Sequence, residues 1–140
     1  MAGAAAYQSG DDGDGLLEAG ETWLFEVDHP VSATDADPLV NVATASGTDR
    51  DGDDVMATDD HSLNVTFAPV IEVVKSGPVT AGVGDTVTYT FAVSHATTAD
   101  GSAVGVVAVA DDVAGAAAYV SGDADGDDLL DATETWLFEV

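Results

Sequence analysis

The chain has 140 residues, room for about one domain with an ordinary core. Twenty-seven acidic residues face one lysine, Lys75, and one arginine, Arg50, for a net charge of −25; phosphate contacts need cations, so nucleic acid and anionic membrane surfaces are excluded as partners. With no cysteine, neither a disulfide framework nor a thiolate metal site is available.

Taken in order, nearly everything between the turns reads as β. Glu21 to Val27 alternates, with Trp23, Phe25 and Val27 on the inward face. Leu39 to Thr48 is small and β-tending, and Val55 to Phe67 is a further strand, with an irregularity expected around Asp59-Asp60. Ala68-Pro69 is a very short connector. Val70 to Lys75 is apolar on both faces, which suits a covered or short strand. Gly77-Pro78 and Gly82 to Asp85 are turn signals. Thr86 to Ser94 is the clearest strand, with Val87, Tyr89, Phe91 and Val93 inward and a threonine row outward. Val104 to Ala110 is a strand ending at Asp111-Asp112, Ala116 to Val120 is short, and Thr135 to Val140 repeats the first strand. No segment carries a helical apolar period, and no apolar run reaches membrane-spanning length, so no membrane insertion is expected. The pattern of short strands between Gly/Asp/Pro turns predicts an all-β, antiparallel sandwich. Hydrophobic residues make up 46% of the chain, so the acidity is not that of a disordered one. Its self-repulsion would be relieved by divalent cations or by salt.

An internal repeat organises these elements. Gly3 to Val27 aligns with Gly115 to Val140 once Ala124 is set aside as an insertion, with 21 of 25 pairs identical. The offset is 112 residues at Tyr7/Tyr119 and 113 at Trp23/Trp136, so the period is about one domain. A boundary at Ala68-Pro69 then leaves residues 1–67 as the C-terminal strands of one repeat and 68–140 as the N-terminal strands of the next. Strands of ten residues would hold the poles of a sandwich roughly 33 Å apart, and a two-residue connector spans only roughly 7–10 Å. The two halves are therefore not expected to close on each other. The missing strands would come from further chain or from a neighbouring molecule.

Each copy of the repeat carries an acidic loop. Asp123 to Glu134 has the ligand order of an EF-hand-like Ca²⁺ loop: Asp123, Asp125 and Asp127 at positions 1, 3 and 5, Leu129 at 7 offering its carbonyl, Asp131 at 9 and Glu134 at 12. Ca²⁺ takes six to eight oxygens, so carboxylates two residues apart must curl round one point, and a final Glu can close the shell with both oxygens. Asp128 stands at position 6, where Gly normally makes the sharp turn. In the first copy, anchored on Glu21 at position 12, Asp12, Asp14, Leu16 and Glu18 take positions 3, 5, 7 and 9. Position 1 falls on Gly10, so Asp11 has to swing in. That copy keeps the turn residue, Gly15, that the second lacks.

Other groupings read more plainly. Asp49 to Asp60 shows a similar spacing, but Asp51-Gly52 between two β runs is a hairpin turn. Lys75 beside Asn41 or Asn64 would suit an isopeptide cross-link, with an ordinary ion pair as the simpler expectation. Trp23 and Trp136 are expected in the core rather than as sugar-stacking surfaces. His29, His61 and His95 share no metal spacing, no Ser/His/Asp constellation is visible, and no catalytic activity is expected.

Gly84 to Phe91 (Gly-Asp-Thr-Val-Thr-Tyr-Thr-Phe), Val107 to Asp112, Tyr119 to Asp123, Val40 to Thr44 with Gly47 to Asp49, and above all Leu129 to Trp136 resemble the conserved-repeat, Ig-like domains of bacterial and archaeal surface proteins, a domain-of-unknown-function family. The resemblance covers nearly the whole chain. It implies tandem extracellular Ig-like β-sandwiches, here of about 113 residues, that form stalks, adhesins, surface layers or filaments. The expected protein is a non-enzymatic, Ca²⁺-stabilised structural repeat on or from a cell surface, with neighbouring copies of the same repeat as head-to-tail partners. Two rivals follow from the same residues: an adhesin module that binds glycan, and a subunit of a strand-exchanged homopolymeric filament.

Overall fold

The computed structural model describes residues 3–140. The chain is all-β, with no helix among the described residues and every strand pairing antiparallel. It divides into two compact units, Met1–Ser32 and Ala33–Val140, a division that falls upstream of the Ala68-Pro69 connector. Among the described residues no helix is long and apolar enough to cross a membrane.

The first unit holds β1 (Ala6–Ser9) and β2 (Leu24–Glu26), paired with Tyr7 opposite Phe25 and a bulge between Tyr7 and Ser9. The second opens with β3 (Leu39–Thr48) and β4 (Asp54–Leu63), a ten-residue ladder. It runs without interruption through Val42↔Asp60 and Ala43↔Asp59, where an irregularity was expected. Its turn closes on Asp49, whose Oδ1 accepts the N–H groups of Asp51 and Asp53 at 2.9 Å each, while Gly52 takes φ 88°. Asp60 is thereby committed to the ladder, far up β4 from that turn, and Asp49 to Asp60 is a hairpin rather than a cation loop.

The centre of the second unit is a four-stranded sheet in the order β10 (Ala118–Ser121), β12 (Thr135–Glu139), β6 (Thr90–His95), β5 (Ile71–Ser76). The period-2 pattern puts Phe91 and Val93 of β6 and Trp136 and Phe138 of β12 on one face, where they are buried together with Leu130. Burying each such side chain stabilises the fold by roughly 1.5–3 kcal/mol. Tyr89 exchanges both backbone hydrogen bonds with Val140 (2.8 and 3.1 Å), which extends the β6–β12 pairing by one step before the ladder stops. The segment from Thr86 to Thr88, expected in the strand, lies ahead of it. β5 is short, as its composition allowed, but it forms the sheet edge and leaves Ile71, Val73 and Val74 exposed rather than covered.

Val104 to Ala110 is not one strand. Val106 adopts φ 56°, a left-handed conformation costly for a β-branched residue, and this breaks the run into β7 (Val104–Gly105) and β8 (Ala110–Asp111). β7 pairs with β11 (Leu129–Leu130) and β8 with β9 (Gly115–Ala116). The first pairing is functional in its consequence, because it anchors the C-terminal half of the acidic loop to the core through Leu130.

Candidate metal centre

In the second copy the loop leaves β10 at Gly122 (φ 130°), where a Cβ would lie 2.2 Å from the carbonyl oxygen of Thr135. Only glycine lets the loop start against β12 this closely. The N–H of Asp123 then donates to the Tyr119 hydroxyl (3.0 Å). Asp123 curls the loop around its own carboxylate: Oδ1 accepts the N–H of Gly126 (2.7 Å) and Oδ2 that of Asp128 (3.1 Å). Asp127 accepts the N–H of Leu129 (2.8 Å). Glu134 closes the loop. Its Oε1 accepts from Ala124 (2.6 Å), and its Oε2 from Asp131 (3.3 Å) and from the Trp136 indole (3.0 Å).

This arrangement brings together Asp123, Asp125 and Glu134, and separately Asp125, Asp127 and Asp131, with one oxygen of each residue within 4.8 Å of the others in its trio. The six-residue set expected around one ion is thus two overlapping trios that share Asp125. Leu129 lies in β11 opposite Gly105. Asp123 Oδ1 and Oδ2, Asp127 Oδ1 and Glu134 Oε1 each accept one N–H and keep a second lone pair, while Glu134 Oε2 accepts two, so these bonds shape the loop without exhausting it as a ligand set. All the donors are hard oxygens, and the clusters can hold a metal ion.

The electrostatics set Glu134 and Asp125 of the first trio apart. The N–H of Ala124, then the Trp136 indole, hold the Glu134 carboxyl below its ordinary range. Asp125 goes the other way: loss of solvent, then the charge of Asp127, push it up, against one backbone N–H that lowers it. The folded loop thus disfavours the charge of Asp125, which a cation would relieve.

Asp128 does what the missing glycine would have done. It adopts φ 63°, close to the 77° of Gly15 in the first copy, and Asp is among the residues that tolerate this region best. Where Gly20 has φ 103°, Thr133 keeps a negative φ, and the turn still closes in both copies, Glu21 N–H to Glu18 O at 3.1 Å and Glu134 N–H to Asp131 O at 3.0 Å. Both turns are therefore four-residue turns, with only the first needing a glycine at its third position.

The first copy is built alike. Gly10 (φ 122°) would place a Cβ 2.1 Å from the Thr22 carbonyl oxygen. The Asp11 N–H donates to Tyr7 (2.8 Å), and Asp11 Oδ1 accepts from Gly13 (2.9 Å) and Gly15 (3.2 Å), which lowers the Asp11 pKa. Asp14 accepts from Leu16 (2.8 Å). Glu21 accepts from Asp12 (3.2 Å), Glu18 (3.1 Å) and the Trp23 indole (3.2 Å). Asp11 therefore occupies position 1 in place of Gly10, and the residue lost from this loop is taken up between positions 1 and 3. One trio forms, Asp11, Asp12 and Glu21. Asp14 and Glu18 join no second one among the described residues.

Three residues escaped the sequence reading, Tyr7, Tyr119 and His95, whereas the ion pair of Lys75 was the simpler expectation for it. The hydroxyls of Tyr7 and Tyr119 accept the N–H of the first Asp of each loop and so orient it. Their position four residues before that Asp in both copies was the available signal. His95 Nε2 shares a hydrogen bond with the Leu130 carbonyl (2.9 Å) and fastens the loop to β6. Lys75, over the Tyr89 ring at 4.3 Å, pairs with the nearly buried Asp111 and with neither Asn41 nor Asn64. That lysine and the N–H groups of Ala114 and Val113 hold Asp111 down at about 2, and Asp111 in turn raises the Lys75 pKa. Both shifts favour the charged pair, and with its Nζ on Asp111 the lysine forms the ion pair rather than the contact with an asparagine that a cross-link needs. Comparison of the chain with family models, curated proteins and solved structures found no match.

Proposed function

We propose that this chain is a non-enzymatic, Ca²⁺-stabilised structural repeat, built from Ig-like β-sandwich units of about 113 residues stacked into an extracellular rod, stalk or filament. The observation that carries the reading is that both copies of the loop converge an Asp–Asp–Glu trio and tie its glutamate to the indole of the following strand. A cation there would offset the repulsion of the cluster and fix the start of β12, where the core begins. The arrangement serves the fold: the carboxylates accept from the loop's own amides, and the pair Glu134–Trp136 links the ion to packing. The surface location and the assembly of such units rest on the resemblance of the Leu129 to Trp136 motif to the surface repeats. The glycan-binding alternative is weakened at Trp136, a residue only 7% exposed whose ring meets Tyr119 edge-on at 5.3 Å, leaving no open stacking face.

Thermal unfolding with and without Ca²⁺ tests the reading. At a hundred times its dissociation constant, a ligand specific to the folded state adds about 2.7 kcal/mol. Ca²⁺ is expected to raise the Tm, a chelator to reverse it, and Glu134→Gln to remove most of the response. A Tm that follows ionic strength alone, equally in Na⁺ and Ca²⁺, sinks the proposal.

A further inference from the structure

We propose that β2 is a docking edge for the β5–β6 strand pair of a second copy of this chain, in the register that β12 already uses. This rests on the repeat reading above and names a partner for the unpaired edge of β2. Within the second unit β12 lies between β10 and β6, with Trp136 opposite Val93, Leu137 opposite Ala92 and Phe138 opposite Phe91. β2 is paired with β1 on one side, and among the described residues no strand pairs with its other edge. The β1–β2 pair repeats the β10–β12 register, including the bulge after the tyrosine. Its rings are set alike: Tyr7 meets Trp23 and Phe25 at 5.6 Å each, as Tyr119 meets Trp136 at 5.3 Å and Phe138 at 5.7 Å. The edge is thus already shaped for the strand that covers its twin, yet Phe25 is 50% exposed where Phe138 is 3%. Transferring the register puts Trp23 opposite Val93, Leu24 opposite Ala92 and Phe25 opposite Phe91 of the other copy.

Docking of this kind is an exchange. β6 carries β5 on one edge, so its other edge takes either the resident β12 or an incoming β2. The resident belongs to the same chain and has the higher effective concentration. The net charge of −25 on each copy adds repulsion, which salt screens. Exchange therefore becomes visible when the resident is weakened and salt is high.

The test uses the full chain carrying Trp136→Ala and Phe138→Ala. Only two tryptophans exist, so Trp23 becomes the sole emitter and reports its own burial. At high salt, as concentration rises, the Trp23 emission is expected to shift to the blue in step with an increase in sedimenting mass. Adding Phe25→Ala keeps the reporter, removes the facing ring, and should raise the midpoint concentration by more than about tenfold. Three results overturn the proposal: no association, association with unchanged Trp23 emission, or association indifferent to Phe25. A variant chain that stays unfolded at every concentration counts among the first, because docking of a second copy is what should restore its core. The Ca²⁺ experiment is read on the unaltered chain, so either proposal can fail while the other stands.

Discussion

The strand pairs β1–β2 and β10–β12 share 21 of 25 aligned residues, one register, one bulge, one glycine pressed against a carbonyl and one tyrosine wedged between two rings. They differ in what lies beside them. β12 is flanked by β6, and Phe138 is 3% exposed; β2 has no such neighbour among the described residues, and Phe25 is 50% exposed. The glutamates follow, with Glu134 buried and Glu21 only half-buried. Local geometry is thus a property of the 25-residue sequence. Burial of β12 comes with its pairing to β6, and among the described residues β2 has a paired strand on one side only.

The comparison breaks most sharply at the tryptophans. Trp136→Ala should cost about 3–5 kcal/mol, enough to unfold a domain of ordinary marginal stability. Trp23→Ala should cost a small fraction of that in urea unfolding of the isolated chain. Equal costs would mean that β2 is covered as well as β12. Next come the glycines. Gly122→Ala should destabilise by more than about 1 kcal/mol, because the new Cβ meets a backbone oxygen that cannot yield without moving β12. Gly10→Ala meets the same oxygen in its own copy but disturbs no buried strand, so the melting temperature of the second unit should hold.

Acid separates the carboxylates by sign. Asp111 is held at about 2, below its ordinary 3.8, so the stability it lends is fully present above 3.8 and is lost as pH falls through about 2. Glu134, also lowered, loses its contribution in the same direction, below its ordinary 4.5. Asp125 is raised, so without a cation its protonation on the way down is favourable to the fold, and its charge is a burden once pH rises above its folded value. Ca²⁺ should therefore stabilise most above that range and least in acid. A Ca²⁺-dependent Tm gain that grows as pH falls toward 3 would contradict the assignment. Lys75→Met should raise the acid midpoint, by removing the partner that holds Asp111 down.

The smallest expected effect is at the turn. Asp128→Gly removes a left-handed non-glycine residue and should stabilise by about 1 kcal/mol or less, with tighter Ca²⁺ binding. Gly15→Asp in the first copy should do the reverse. A weaker site in Asp128→Gly would mean that the Asp128 carboxylate itself contributes to the ion.

Much of this was legible in the chain. The alternation in Thr135 to Val140 fixes which face is buried, and the spacing from Asp123 to Glu134 names the five carboxylates that gather, though not that they gather as two trios without Leu129. The one-residue difference between the loops pointed to Asp11, since a carboxylate beside Gly10 was the only candidate for position 1. What the sequence left open involved contacts distant along the chain. Asp111 meets Lys75 from 36 residues away and His95 meets Leu130 from 35, and nothing local marks either pair. The break at Val106 was hidden because a valine run looks like a strand wherever it occurs, and only φ 56° shows the interruption.

By itself, then, the sequence determined strand, turn and loop, because alternation, glycine placement and carboxylate spacing act over a few residues. It determined the twinning of the two copies for the same reason. Which twin holds a core was decided by tertiary structure alone. Burial needs a second surface, and β6 offers one edge, which β12 occupies in this chain.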